Sequence, residues 1–186
     1  MEIKEYNDSL ALKEKSEIRD GIMHLENMMK SVDGAYIGDS DRCPLEHYFT
    51  AGIYTRKIFI PAGDILVGKI HKHAHPNFLV SGTVEVMTES EGSQTLTGPE
   101  FMISEAGTKR TLHAITDLVW ITVHANPDDG EDLGIIEKEV IAKDYEEYDK
   151  FANKQLEYKE ENFLTRIKNR IIKFLRAVSL IINKKR

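Results

Sequence analysis

Three histidines stand at every second position, His71, His73 and His75, within residues 61–82, PAGDILVGKIHKHAHPNFLVSG. Ile65, Val67, Lys69 and the three histidines form one alternating set, and Leu66, Gly68, Ile70, Lys72 and Ala74 the other. A strand here carries its three imidazoles on one face. Each imidazole brings two ring nitrogens that need partners, and their cationic forms repel. A metal or an anion resolves both demands. Each histidine taken singly reads as an ordinary surface residue; the cluster carries the signal.

The turn, strand, histidines, short loop and second glycine turn resemble the first motif of the cupin family. That resemblance implies a small double-sheet jelly roll with a ligand or metal inside. The family's opening glycine, its three ligands and its closing glycine fall on Gly63, Lys69, His71, His75 and Gly82. Its second motif resembles Gly98 to Arg110, GPEFMISEAGTKR, where Glu105 stands at the proline position, Gly107 at the glycine and Arg110 at the third histidine. The glycines match better than the ligands, because Lys69 and Arg110 are cations and His75 replaces a carboxylate. The same region also resembles small cupin-like proteins of bacteriophage genomes, through CPLEHYFTAGIYTRKIFIPAG, HKHAHPNFLVSG, AGTKR and DLVWITVH. The implied fold is mainly β, a single cupin jelly-roll antiparallel β-barrel over residues 45–126. A helix and loop over 1–44 precede it, and an acidic loop and helices over 127–186 follow.

Three functions compete. In the first, the barrel mouth captures a small anionic ligand, phosphate-bearing and nucleotide-like, sequestering a host signal if the phage resemblance holds. Lys69 and Arg110 repel a divalent cation and attract phosphate or carboxylate, Lys109 and Lys72 add positive potential, and His71, His73, His75, Asn77 and His124 offer hydrogen bonds. In the second, His71 and His75 with His73 or His124 hold zinc, nickel, iron or manganese in an isomerase, lyase or dioxygenase site. The third makes the barrel a scaffold whose tail recruits a membrane or a partner.

The elements that position these groups read as follows. Residues 8–31 form an amphipathic helix with Leu10, Ile18, Ile22, Leu25 and Met29 on its stripe. Short strands punctuated by Gly and Pro follow from His47 to His124. If Arg110 points inward, Leu112 and Ala114 share its phase and His113 faces out, whereas His124 lies beyond the turn at 116–117 with its phase open. Residues 127–134 are an acidic loop, and a helix begins near Lys143. The tail, 163–186, places Leu164, Ile167, Ile171, Leu175, Val178 and Ile182 at helical spacing among Arg166, Lys173 and Arg176. It is a basic amphipathic helix suited to homo-oligomerisation or to an anionic membrane surface.

Composition bounds the rest. The chain has 186 residues, 41% of them hydrophobic, and a formal net charge of −6, which fits one globular domain with extensions. Residues 163–186 hold eight of the 25 basic side chains and no acid, so all 31 acids lie in the body. An acidic body does not suit a nucleic-acid polymer. A single cysteine, Cys43, excludes an internal disulfide framework and fits a cytoplasmic protein, as does the polar N-terminus MEIKEYNDSL.

Overall fold

The computed structural model describes residues 3–36 and 38–183. The chain divides into two compact units, Met1–Tyr145 and Glu146–Arg186. In the first, helix α1 (Ile3–Lys30) precedes strands β1 (Leu45–Thr50), β2 (Gly52–Ile60), β3 (Ile65–Val67), β4 (Ile70–His71), β5 (His75–Ser81), β6 (Thr83–Thr88), β7 (Gly92–Thr97), β8 (Glu100–Ser104), β9 (Arg110–Ala114) and β10 (Leu118–Asn126). A short helix, α2 (Leu133–Val140), and strand β11 (Ile141–Ala142) follow, and helix α3 (Tyr145–Asn183) enters the second unit.

The strands form two main antiparallel sheets, one ordered β1-β2-β10-β5-β8 and the other β3-β9-β6-β7. The chain crosses repeatedly between them, and these orders are those of a jelly roll built from two Greek keys. Alternating residues point inward from each sheet and meet in one core. Ile60, Leu79, Leu118 and Trp120 come from the five-stranded sheet, and Val84, Val86, Leu112 and Ala114 from the four-stranded one. Each fully buried aliphatic side chain contributes about 1.5–3 kcal/mol. This is the expected antiparallel jelly roll, with the two sheets keeping free edges.

One turn required by this topology is specific for glycine. Gly82 joins β5 to β6 at φ +90, and an added Cβ would lie 2.3 Å from the Asp117 carbonyl oxygen and 2.5 Å from Leu118 Cβ. The turn is pressed against the start of β10, so neither the left-handed backbone nor the space accepts a side chain.

Two elements depart from the sequence expectation. Residues 133–142, read as loop and the approach to a charged helix, form α2 and β11. Asp132 caps α2 by accepting hydrogen bonds from the Gly134 and Ile135 amides at 2.9 and 3.2 Å. Ile136 and Val140, one turn apart, pack on Tyr54. Ile136 and Val140 are separated by the three charged residues Glu137, Lys138 and Glu139, and one such turn is too short a period to stand out from sequence. The strand expected to carry all three histidines is also interrupted, as described below.

In the second unit α3 exposes Leu156, Phe163, Leu164, Ile167, Ile171 and Ile172. Of the tail residues singled out from sequence, Arg166, Ile171 and Lys173 are exposed on it. The side chains of Leu175 and Arg176 lie outside the described ones. Among the described residues no helix is long and apolar enough to cross a membrane.

Candidate metal centre

The histidine segment folds as two strands joined by a bend. β4 ends at His71, residues 72–74 turn, and β5 begins at His75. Pro76 disfavours the helical region for His75 and holds it extended. β4 is fixed from both sides: β11 pairs Ile141 with His71, Val140 accepts a 2.8 Å hydrogen bond from the Lys72 amide, and the His71 carbonyl accepts one from the Gly107 amide at 2.8 Å. The bend corrects the expectation of one shared face. His71 and His75 are buried, while His73 is exposed.

The third member of the cluster is His124. β5 and β10 pair from Ser81 opposite Val119 to Asn77 opposite Thr122 and no further. Beyond Asn77 the strands part, and the side chains of His75 and His124 meet His71 in the gap. One ring nitrogen from each of the three lies within 4.8 Å of the others. Ring centroids are 4.1 Å apart for His71 and His75, 5.0 Å for His71 and His124, and 4.8 Å for His75 and His124.

All three are held neutral. Burial first, then the neighbouring histidines and the guanidiniums of Arg56 and Arg110, holds His71 well below the usual imidazole range. Burial pulls His75 down to about 4, against a hydrogen bond to the His73 carbonyl that favours its proton. Burial, then His75 and Arg56, pulls His124 to about 3. His75 Nδ1 lies 3.0 Å from the His73 carbonyl oxygen. That oxygen only accepts, so Nδ1 carries the hydrogen and Nε2 presents a lone pair. His71 Nδ1 is buried with no hydrogen-bond partner. Neutral imidazoles, one fixed tautomer and one orphaned nitrogen fit a metal ion with a histidine donor set.

A cavity of about 200 Å³ opens beside the cluster, lined by Arg56, Lys69, His71, His75, Asn77, Arg110, Trp120 and Thr122. Arg110 enters from β9 with its guanidinium carbon 5.5 Å from the Trp120 ring centroid, and it donates to Ser104 Oγ. Burial lowers Arg110 to about 10 and lowers Arg56 as well. Among the described residues neither guanidinium has a carboxylate within salt-bridge distance. Arg56 was not singled out from sequence, although its phase was visible: it alternates with Ile58 and Ile60, both turned toward the core. A cation in phase with core residues was the available signal.

The other sequence candidates take different places. Asn77 is 1% exposed, and its polar atoms face the protein: Nδ2 donates to Ser104 Oγ at 2.7 Å, and Oδ1 accepts from Trp120 Nε1 at 3.0 Å and Thr122 Oγ1 at 3.2 Å. It holds Ser104 and Trp120, the two side chains that hold Arg110. Lys69 lies at the mouth, paired with Glu137 of α2, and burial followed by the charges of Arg56 and Lys109 lowers its pKa. Lys109 is corrected from a rim cation to a buried one, 3.1 Å from Glu26 of α1 and donating to the Gly68 carbonyl at 2.9 Å. Lys72 donates to the Lys138 carbonyl at 2.7 Å. Arg110 points inward with Leu112 and Ala114 buried in phase, and His113 faces outward to Glu85 at 3.0 Å. Tyr54, also not anticipated as part of the site, stacks between His124 at 6.0 Å and His47 at 5.9 Å, with its hydroxyl 2.8 Å from His47 Nδ1.

No protein-family model and no curated protein matches the sequence. Solved structures do. A cupin-family protein of Methanocaldococcus jannaschii described as RmlC-like with a double-stranded β-helix fold aligns at 15% identity over 50% of this chain and 89% of its own, with a TM-score of 0.40. Ectoine synthase from P. lautus aligns at 15% identity over 52% and 72%, with a TM-score of 0.42. Oxalate decarboxylase of Lactobacillus farciminis, in a formate complex, aligns at 11% identity over 48% of this chain and 30% of its own, with a TM-score of 0.42.

Proposed function

We propose that the protein is a cupin-type metalloenzyme that holds a divalent transition metal on His71, His75 and His124 and a small carboxylate- or phosphate-bearing substrate on Arg56 and Arg110. The observation that carries this reading is the buried cluster of three neutral imidazoles, one with an orphaned Nδ1. A bound zinc, nickel, iron or manganese ion supplies a Lewis acid with open coordination positions.

The chain's own residues supply the remainder. Arg56 and Arg110 bind and orient the anion through planar donor forks. Ser104, Asn77 and Trp120 keep Arg110 from relaxing toward solvent. Ile58, Ile60, Leu66 and Leu112 wall the cavity and exclude water, which strengthens every charge interaction inside it. Two half-buried guanidiniums beside a divalent ion concentrate positive charge in the cavity, so metal and anion stabilise one another. By linkage each raises the affinity of the other by the same factor.

The test is metal titration of chelator-treated protein against a chromophoric competitor, with and without inorganic phosphate or acetate as probe anions. The expected result is one ion per chain, lost in His71→Ala, and bound about 5-fold or more tightly with the anion present, the lower end of ordinary coupling energies. Sub-stoichiometric metal, or binding indifferent to His71→Ala, overturns the reading. Anion binding without any metal would favour instead the capture of an anionic ligand by Arg56 and Arg110, the reading their unpaired burial supports by itself.

A further inference from the structure

The five-stranded sheet is apolar on both faces. Its inner face builds the core and the site. Along β10 the outward phase is Val119, Ile121, Val123 and Ala125, where a solvated sheet would carry polar residues. On the neighbouring strands Phe78 is 38% exposed, Phe101 55%, Ile103 52%, Val80 45% and Phe59 36%.

Register makes these one surface. Phe101 lies opposite Phe78, Phe78 opposite Ile121, and Ile121 opposite Lys57, so an apolar row runs across three strands before it meets a charge. The Phe78 and Phe101 rings are 5.1 Å apart and tilted by 51°. Val119 lies opposite Phe59 in the next row. At about 200 Å² per ring the three phenylalanines alone expose roughly 250 Å². Charge is confined to the β1 side, where Lys57 and Glu46 pair at 2.6 Å.

We propose that a second copy of this chain covers this face, the two five-stranded sheets packing against each other about a two-fold axis. Five strands about 4.8 Å apart and about six residues long at 3.3 Å each present roughly 500 Å² in projection. The corrugated accessible area of such a face approaches the about 800 Å² per partner of a standard interface. Its anatomy is that of an interface, with an aromatic and aliphatic patch over β10, β5 and β8 and a charged margin at β2 and β1. A two-fold contact needs a self-complementary patch, and an uncharged apolar sheet face meets that condition. A lipid surface or a nucleic acid would be met by unpaired cations, and the patch's one lysine is neutralised by Glu46. The proposal is independent of what the cavity binds.

Light scattering on the full chain at micromolar concentration tests it. Wild type should be a dimer, and Phe78→Lys or Phe101→Lys a monomer that still unfolds in one cooperative transition. Ile167→Lys with Ile171→Lys on α3 should remain dimeric. Because a lysine in the sheet can also unfold it, a milder variant runs in parallel: Ile121→Cys should be crosslinked between copies by a short bismaleimide, with the one native thiol, Cys43, buried. A monomeric wild type, a dimer that survives both sheet lysines, a dimer lost through the α3 lysines, or an Ile121→Cys protein that does not crosslink overturns the proposal.

Discussion

Removing the carboxylate of Glu26 should unseat the cation beside the candidate site. Lys109 precedes Arg110 on the turn into β9, and its side chain is only 4% exposed against 20% for Glu26. Burial depresses the Lys109 pKa, opposed by Glu26, while Lys109 holds the Glu26 carboxyl below its usual range against the effect of burial. Glu26→Gln leaves a buried ammonium group with the Gly68 carbonyl and a neutral amide oxygen as acceptors but no counter-charge, and an uncompensated buried charge costs about 3 kcal/mol. Lys109→Met replaces it by an apolar side chain of similar length and leaves a carboxylate that water can reach, so its cost should stay within about 1 kcal/mol. For a folded unit of this size the first change lowers Tm by about 10 °C. Urea unfolding followed through the fluorescence of Trp120, the one tryptophan and 4% exposed, reads both variants. Because the folded carboxyl pKa lies below the unfolded one, Glu26 contributes stability above the unfolded value near 4.5 that is lost as pH falls through the folded value. That part of the acid dependence should vanish in Glu26→Gln. If Glu26→Gln unfolds like wild type, or Lys109→Met loses as much as Glu26→Gln, the pair is not what pins α1 to the site.

Gly82→Ala should lose about 3 kcal/mol, since it combines a disfavoured φ with a clash against backbone; a urea midpoint unchanged from wild type would contradict the turn geometry. Arg110→Met keeps the bulk of the side chain and removes the fork, so it should abolish the effect of phosphate on metal affinity while the metal itself still binds. Competitive titration separates the two, and a full anion effect in the variant would remove Arg110 from the anion subsite.

How much of this was legible in sequence follows from the range over which each pattern acts. The alternation through Arg110, Leu112 and Ala114 is local and put the three on one face, and the resembled motif implied that this face is the inner one. His71 and His75 stood out for the same reason. His73 was misplaced because alternation assumes an unbroken strand, and the bend at residues 72–74 follows from pairing with β11, some seventy residues away in sequence. His124 has its phase set by β2 and β5 across the sheet and by the parting of β5 from β10, neither of which leaves a local trace. Lys109 looked like a rim cation because its partner, Glu26, sits on a helix that sequence joins to no particular strand.

The two families of feature that competed in the sequence, cations at the ligand positions of the resembled family and a histidine cluster, are adjacent in space and act in opposite directions on the same cavity. Arg56 and Arg110 disfavour a cation at the cluster, as their depressing effect on the His71 proton shows. The same repulsion weakens binding of a divalent ion by itself. An anion seated between them reverses the sign, because it neutralises the guanidiniums and offers oxygen donors toward the open side of the imidazoles. A site with three neutral imidazoles and two half-buried cations is therefore poorly matched to metal alone and poorly matched to apolar molecules. On the proposed reading it is matched to an ion pair, and with Lys69 tied to Glu137 at the mouth the two arginines are the cations left to select the anion.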